Sequence, residues 1–383
     1  MKTQRWLSFN FFTFFFTWGV FLPYMVGWLT DGKGLTVIEA SIIMGAGMII
    51  RSLSTFLLFP EATKRSSLSS FMRYSALLSL IIVLFYIPSD SFGMLLVITV
   101  IFSLVYPNIL AAMESSGSVL MQKENINYGK SRSYGSFGYI IAVLLIGIAT
   151  YTWGENSIVW ILILGLFLMV LTQFLPAPDT LKGPLHKSGT SGEGIYKTLL
   201  TSSSFITILL LTILLQGAHT SYYNYGFIYL KEIGVSAFYI GFILNIAVVS
   251  EIIVFAAADR LLSNTKVSTM FIIAAVGSTV RWLLIFLSPN VWMFVLSQLL
   301  HALSFGVAHY AFIKYISIRL PDEQIPAAQG MYAAFAMSLS TALLTFAGGP
   351  LYEYSPKIAF LGMTACSIPA LILVLATRKK YSY

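Results

Sequence analysis

The chain has 383 residues, of which 57% are hydrophobic and only 10% charged, with a formal charge of +8 and a mean hydropathy of +0.82. A soluble domain carries about 25% charged residues, so this composition excludes an ordinary water-soluble globule. Runs of about 20 apolar residues, such as 92–113 and 158–175, are long enough to cross a bilayer, which makes this an all-α polytopic membrane protein.

Twelve apolar segments follow in order, at roughly 6–29, 36–59, 68–87, 92–120, 128–152, 157–175, 203–229, 236–259, 268–287, 291–317, 326–350 and 357–376. The first has no Ala-x-Ala exit and reads as a retained span, not a cleaved signal peptide. Most links are short and carry Gly, Pro, Asn or charge, as at Pro88-Ser89-Asp90 and Ser288-Pro289-Asn290. The exception is 176–202, whose Gly, Ser, Pro and Lys content predicts a flexible cytoplasmic linker; His186 within it reads as solvated. It separates a six-helix bundle over 1–175 from a second over 203–383. The halves resemble one another: Gly34-Leu35-Thr36 opens the second segment and Gly234-Val235-Ser236 the eighth, and the same offset relates Arg51 to Glu251. With six spans per half, such a repeat is parallel.

With the N-terminus inside, seventeen Lys and Arg residues fall on one face, whereas Lys33, Lys231 and Lys357 fall on the other. That positive-inside bias predicts cytoplasmic termini. The excess charge thus orients the protein in the lipid bilayer and calls for no nucleic-acid partner. Cys366, the one cysteine, excludes an internal disulfide. No metal-ligand spacing, cofactor motif or nucleophile set is present, so no metal, cofactor or enzymatic activity is expected.

Arg51, Glu114, Glu251 and Arg281 lie within the apolar segments. A charge at the bilayer centre costs about 2.5–3.5 kcal/mol, so four unpaired ones would cost roughly 10–14, as much as a whole domain's stability. They must pair or line a wet cavity. At about 1.5 Å per residue, Glu251 sits some 22 Å into its segment, Arg281 about 20 Å and His301 about 15 Å. His309 follows about 80° around the helix. Desolvation raises a carboxyl's proton affinity and a nearby Arg lowers it, so a Glu with an exchangeable Arg partner suits proton carriage. Glu114 and Arg132, joined through 121–127, come to similar depth. His219 sits among the polar and aromatic residues Gln216-Gly217-Ala218-His219-Thr220-Ser221-Tyr222-Tyr223. Of the aromatic residues in the first spans of each half (Trp18, Trp28, Tyr222, Tyr223, Tyr225), most read as packing and interfacial groups, with one or two available to stack on a substrate ring.

These residues resemble the major facilitator superfamily, and within it the 3-phenylpropionate transporter group, related to lactose-permease-type proton symporters. The resemblance spans essentially the whole chain. It is most specific at Arg5-Trp6 with Phe21-Leu22-Pro23, at 128–136, at Leu215-Gln216-Gly217-Ala218-His219, at Ser250-Glu251-Ile252-Ile253, at Arg281-Trp282, and at His301 and His309. It implies two six-helix bundles working by alternating access in a bacterial inner membrane. Glu114 and Arg132 occupy the places of a substrate-binding pair, and Glu251, Arg281 and His301 those of a proton-coupling set. The acid expected three positions after that His is Ser304 here, which shifts proton handling toward His301, His309 and Glu251. The loop signature after the second span is reduced to Phe59-Pro60-Glu61-Ala62-Thr63-Lys64-Arg65, and its counterpart to Asp259-Arg260.

The reading is therefore a monomeric secondary transporter that moves a small aromatic carboxylate inward with H+. Proton coupling is expected at Glu251, Arg281, His301 and His309. Substrate binding is expected at Glu114, Arg132, Arg51, His219 and Tyr222, with Arg51, Arg132 or Arg281 holding the carboxylate through paired hydrogen bonds. A symporter of a neutral sugar or nucleoside is the alternative that the Glu114/Arg132 pair also suits.

Overall fold

The computed structural model describes residues 3–183, 192–262 and 264–381. His186 lies outside the described residues, as do the side chains of Pro60, Lys64, Arg65 and Asp259. Among those described, eleven helices are long and apolar enough to cross a membrane, and Leu68–Leu84 is a shorter apolar helix of 17 residues. At about 26 Å it nearly matches a hydrocarbon core of about 30 Å. The chain divides into two compact units: Met1–Ser188 with Ser236–Phe242, and Gly189–Val235 with Ile243–Tyr383.

In the first unit the spans are α1 (Thr3–Gly32), α2 (Val37–Leu58), α3 (Leu68–Leu84), α4 (Phe92–Glu124), α5 (Tyr128–Trp153) and α6 (Ser157–Phe174). Side chains fix where they begin. Thr36 and Glu39 form a reciprocal capping box at α2, while Ser67, Ser91 and Asn127 cap α3, α4 and α5. The unusual length of α4 is accommodated by a break at Tyr106, where Pro107 cannot donate to the preceding turn. Close helix contact depends on glycine: a Cβ at Gly138 of α5 would collide with the Phe12 carbonyl oxygen of α1.

The second unit holds α7 (Ser203–Glu232), α8 (Ala237–Leu262) from Ile243 onward, α9 (Val267–Leu287), α10 (Val291–Arg319), α11 (Ile325–Tyr354) and α12 (Pro356–Tyr381). Its core is built from residues such as Phe205, Ile208, Met270, Phe271, Phe312 and Tyr332. Three features re-aim side chains within the spans. The helix of α7 is interrupted between Gly217 and Thr220, placing His219 at the break. In α10 and α11, π-helical turns occupy Ala302–Val307 and Tyr332–Leu339. Such turns concentrate at functional sites.

The sequence repeat has a structural counterpart. Gly34 and Gly234 both adopt left-handed backbone, with φ of 73° and 85°. In each unit the next residue's N–H then reaches back into the preceding helix, from Leu35 to the Leu29 carbonyl and from Val235 to that of Leu230. No neighbour crowds either glycine, so backbone conformation alone demands the residue. The connection after α6, expected to be a flexible linker, is described only outside 184–191. Its described parts include a 3₁₀ turn at Asp179–Leu181 and a helix at Gly192–Thr201, whose Leu199 is buried in the second unit's core. Burial of that apolar residue offsets the low helix propensity of the glycines around it.

Candidate functional site

Arg281 of α9 is fully buried. One Nη1 hydrogen bond reaches His301 Nδ1 at 2.9 Å, and weaker approaches reach Ser304 Oγ at 3.5 Å and Gln298 Oε1 at 3.4 Å. The guanidinium also lies over the rings of Tyr222 (4.7 Å) and Trp282 (4.5 Å). Such stacking holds a cation within apolar surroundings without a counter-ion in contact. Its Nε has no hydrogen-bond partner among the described residues.

His301 extends the chain to a carboxylate. Its Nε2 lies 3.5 Å from Glu251 Oε2, whose side chain is 24% exposed. Because a guanidinium only donates, Nδ1 of His301 must accept, which leaves the hydrogen on Nε2, facing Glu251. The imidazole therefore stands between Arg281 and Glu251 as a neutral ring with a fixed tautomer.

His219 joins the same group through Ser304. Its Nδ1 faces the Leu215 carbonyl at 2.9 Å and its Nε2 faces Ser304 Oγ at 2.9 Å. The carbonyl can only accept, so in the neutral ring Nδ1 carries the hydrogen and Nε2 accepts from the serine. The ring of His219 stands edge-on to that of His301, with centroids 5.2 Å apart. Tyr222 packs on His301 at 5.6 Å. Along α10, His301, Phe305 and His309 form a column of near-parallel rings, with interplanar angles of 9° and 2°. A regular helix would rotate His309 by about 80° from His301, and the wider π turn between them takes up part of that rotation. His309 belongs to a separate polar set, 2.8 Å from the Tyr332 hydroxyl, which also accepts from Gln216 Nε2 at 2.9 Å.

In the first unit, Glu114 Oε1 lies 3.4 Å from Arg132 Nε, with both side chains at least one-third exposed. Tyr128 donates to the other carboxylate oxygen, and Arg132 covers Phe15 at 4.0 Å. Arg51 of α2 is placed apart from this pair. Its Cζ lies 4.5 Å over Trp18, beside a small recess that Tyr106 and Phe102 also line.

The second-unit residues named from the sequence, other than His309, thus form one connected group, Glu251–His301–Arg281 with His219 and Tyr222. Glu114 and Arg132 form another, and Arg51 and His309 stand outside both. Sequence reasoning did not single out Gln298, Tyr332 or Tyr106. A Gln within an apolar helix offers a signal that could have found Gln298; nothing in sequence distinguishes Tyr332 or Tyr106 from the chain's other tyrosines.

Residues 4–362 match the MFS_1 like family. The chain is 30% identical over 373 residues to the "Probable 3-phenylpropionic acid transporter" of Escherichia coli (strain K12), covering 97% of each protein. It is 24% identical over 372 residues to the "Maltose permease" of Geobacillus stearothermophilus, covering 97% of this chain and 93% of that one. Among solved structures it is similar to a mutant of the nucleoside transporter NupG, with a TM-score of 0.84 at 16% identity over 98% of this chain and 99% of that one. At that identity the likeness concerns the fold. Twelve apolar helices among the described residues, with the family match over nearly the whole chain, identify the protein as a member of the MFS_1 like family of the major facilitator superfamily, a multi-pass membrane transporter of small molecules.

Proposed function

We propose that this transporter takes up a small aromatic carboxylate such as 3-phenylpropionate together with a proton, by alternating access in the bacterial inner membrane, with both termini cytoplasmic. The observation that carries the reading is the chain from buried Arg281 through His301 to the partly buried Glu251. While Glu251 is ionised, its carboxylate attracts the His301 Nε2–H that faces it at 3.5 Å, and the imidazole accepts from the guanidinium. A proton arriving on Glu251 removes the negative charge that this chain terminates on. Its hold on the ring and on Arg281 weakens, because a hydrogen bond to a neutral carboxyl is weaker than one to a carboxylate. Protonation is thereby linked to the position of a buried cation. The substrate anion requires a guanidinium, which Arg51, Arg132 and Arg281 supply, and His219 and Tyr222 would complete its pocket in the second unit.

The 30% identity to a probable 3-phenylpropionic acid transporter supports the aromatic acid as cargo. A second reading, proton symport of a neutral sugar or nucleoside, is favoured by one observation. The partly exposed Glu114–Arg132 pair presents both acceptors and donors to hydroxyl groups. Proteoliposomes with an imposed inward proton gradient separate the two. Accumulation of labelled 3-phenylpropionate, abolished by a protonophore, is expected. Accumulation of a labelled galactoside or nucleoside with none of the acid would replace the first reading by the second.

A further inference from the structure

Of the arginines in the membrane-spanning segments, Arg51, Arg132 and Arg281 are the candidates for holding a substrate anion, and two of these three already have polar partners. Arg281 reaches His301, Ser304 and Gln298, and Arg132 pairs with Glu114. Arg51 has no hydrogen-bond acceptor and no carboxylate partner among the described residues; it lies instead over the face of Trp18. An indole face attracts the cation's charge but accepts none of its five in-plane N–H donors. These donors are the groups that grip a carboxylate bidentately.

The surroundings of Arg51 are aromatic and flexible. Trp18 stacks against Tyr106 at 6.2 Å, Tyr106 against Phe102 at 4.7 Å, and Phe21 packs on Phe102 at 5.1 Å. Met44 and Met48 lie on the Arg51 side of α2 and line the same recess. Thioether side chains adapt to a ligand ring at little cost. The recess encloses about 10 Å³, room for one water molecule. Turning Arg51 off the indole would enlarge the recess and free the Trp18 face for a second ring.

We infer that Arg51 is the residue that grips the substrate's carboxylate, and that Trp18 together with Tyr106 receives its aromatic ring, making this recess the determinant of selectivity for aromatic monocarboxylates. The inference rests on the aromatic-acid reading above and narrows three candidate arginines to one. It assigns Arg281 to the coupling chain and Arg132 to its pair with Glu114.

The test compares a charged and a neutral ligand on the full-length protein in detergent. Dissociation constants for 3-phenylpropionate and its neutral analogue 3-phenylpropanol are measured on the wild type and on Arg51→Gln, Arg51→Lys and Trp18→Leu. Loss of a charge-assisted carboxylate grip weakens acid binding to Arg51→Gln about 10- to 100-fold, with less than about threefold change for the alcohol. Arg51→Lys, which keeps the charge and guards against misfolding of the Gln variant, gives an intermediate loss. Trp18→Leu weakens both ligands alike. Acid binding to Arg51→Gln within about threefold of wild type, or an equal loss for acid and alcohol, overturns the Arg51 assignment while leaving the aromatic-acid reading intact. A wild-type protein that binds no aromatic acid overturns both.

Discussion

The guanidinium of Arg281 donates to His301 Nδ1 at 2.9 Å, and this one bond determines that the hydrogen of the imidazole faces Glu251. On the proposed cycle the ring links the state of a partly buried carboxyl to a fully buried cation. In that cycle Glu251 takes and releases the proton, and the Arg281–His301 bond is not itself broken.

Replacement of Glu251 by Gln makes that group permanently neutral while keeping its size. Uphill accumulation should disappear, whereas counterflow exchange, which needs no net proton movement, should persist. Uptake and exchange in proteoliposomes of the Glu251→Gln variant measure the two separately; retained uphill uptake would remove Glu251 from proton coupling.

His301 is predicted to tolerate Gln better than Leu. A Gln offers one acceptor and one donor and can still stand between Arg281 and Glu251. Leu leaves a buried guanidinium donor without its acceptor, a loss of about 1–3 kcal/mol. Thermal unfolding in detergent should place His301→Leu clearly below His301→Gln, and equal midpoints would show that the bond contributes nothing to stability.

The Glu114–Arg132 pair is at least one-third exposed, so its value to the fold is small, about 0–1 kcal/mol. Alanine at either position should leave the unfolding midpoint within a few degrees yet reduce uptake more than tenfold. A double-mutant cycle on stability gives the coupling directly. A coupling above about 2 kcal/mol would mark the pair as a structural tie instead.

Gly138→Ala should destabilise the first unit. Its new Cβ would run into the backbone of Phe12, and α1 and α5 must part to admit it. Overpacking of this kind costs about 1–3 kcal/mol. Gly93→Ala is the control, since no atom lies within 4 Å of the added Cβ. There the gain in helix propensity makes the change neutral or slightly stabilising. Comparable melting of the two variants would contradict the close approach of α1 and α5.

The sequence carried the spans because hydrocarbon imposes a length and a polarity that local composition must obey. Glu114 and Arg132 were legible as a pair because two antiparallel helices with a short link fix their depth. Glu251 and Arg281 were legible only as neighbours. That His301 lies between them depends on the rotation of α10, and the π turn at Ala302–Val307 alters that rotation in a way that side-chain periodicity does not record. The same turn accounts for the near-parallel rings of His301 and His309. The interruption of α7 at His219 was equally hidden, since Gly217 and Ala218 are ordinary residues for a membrane helix. Arg51 was placed by its repeat position alone, and only packing revealed Trp18 as its partner.

In the Arg281–His301–Glu251 chain a single carboxyl is available to titrate. On the proposed cycle each turnover then carries one proton and one monoanion, whose charges cancel. Moving a net charge through about 100 mV is worth about 2.3 kcal/mol, and an electrically silent cycle forgoes that contribution altogether. Accumulation would follow the acidity difference across the membrane and be indifferent to voltage. A cell whose membrane is polarised but whose pH gradient has collapsed would keep the transporter intact and yet be unable to concentrate its cargo.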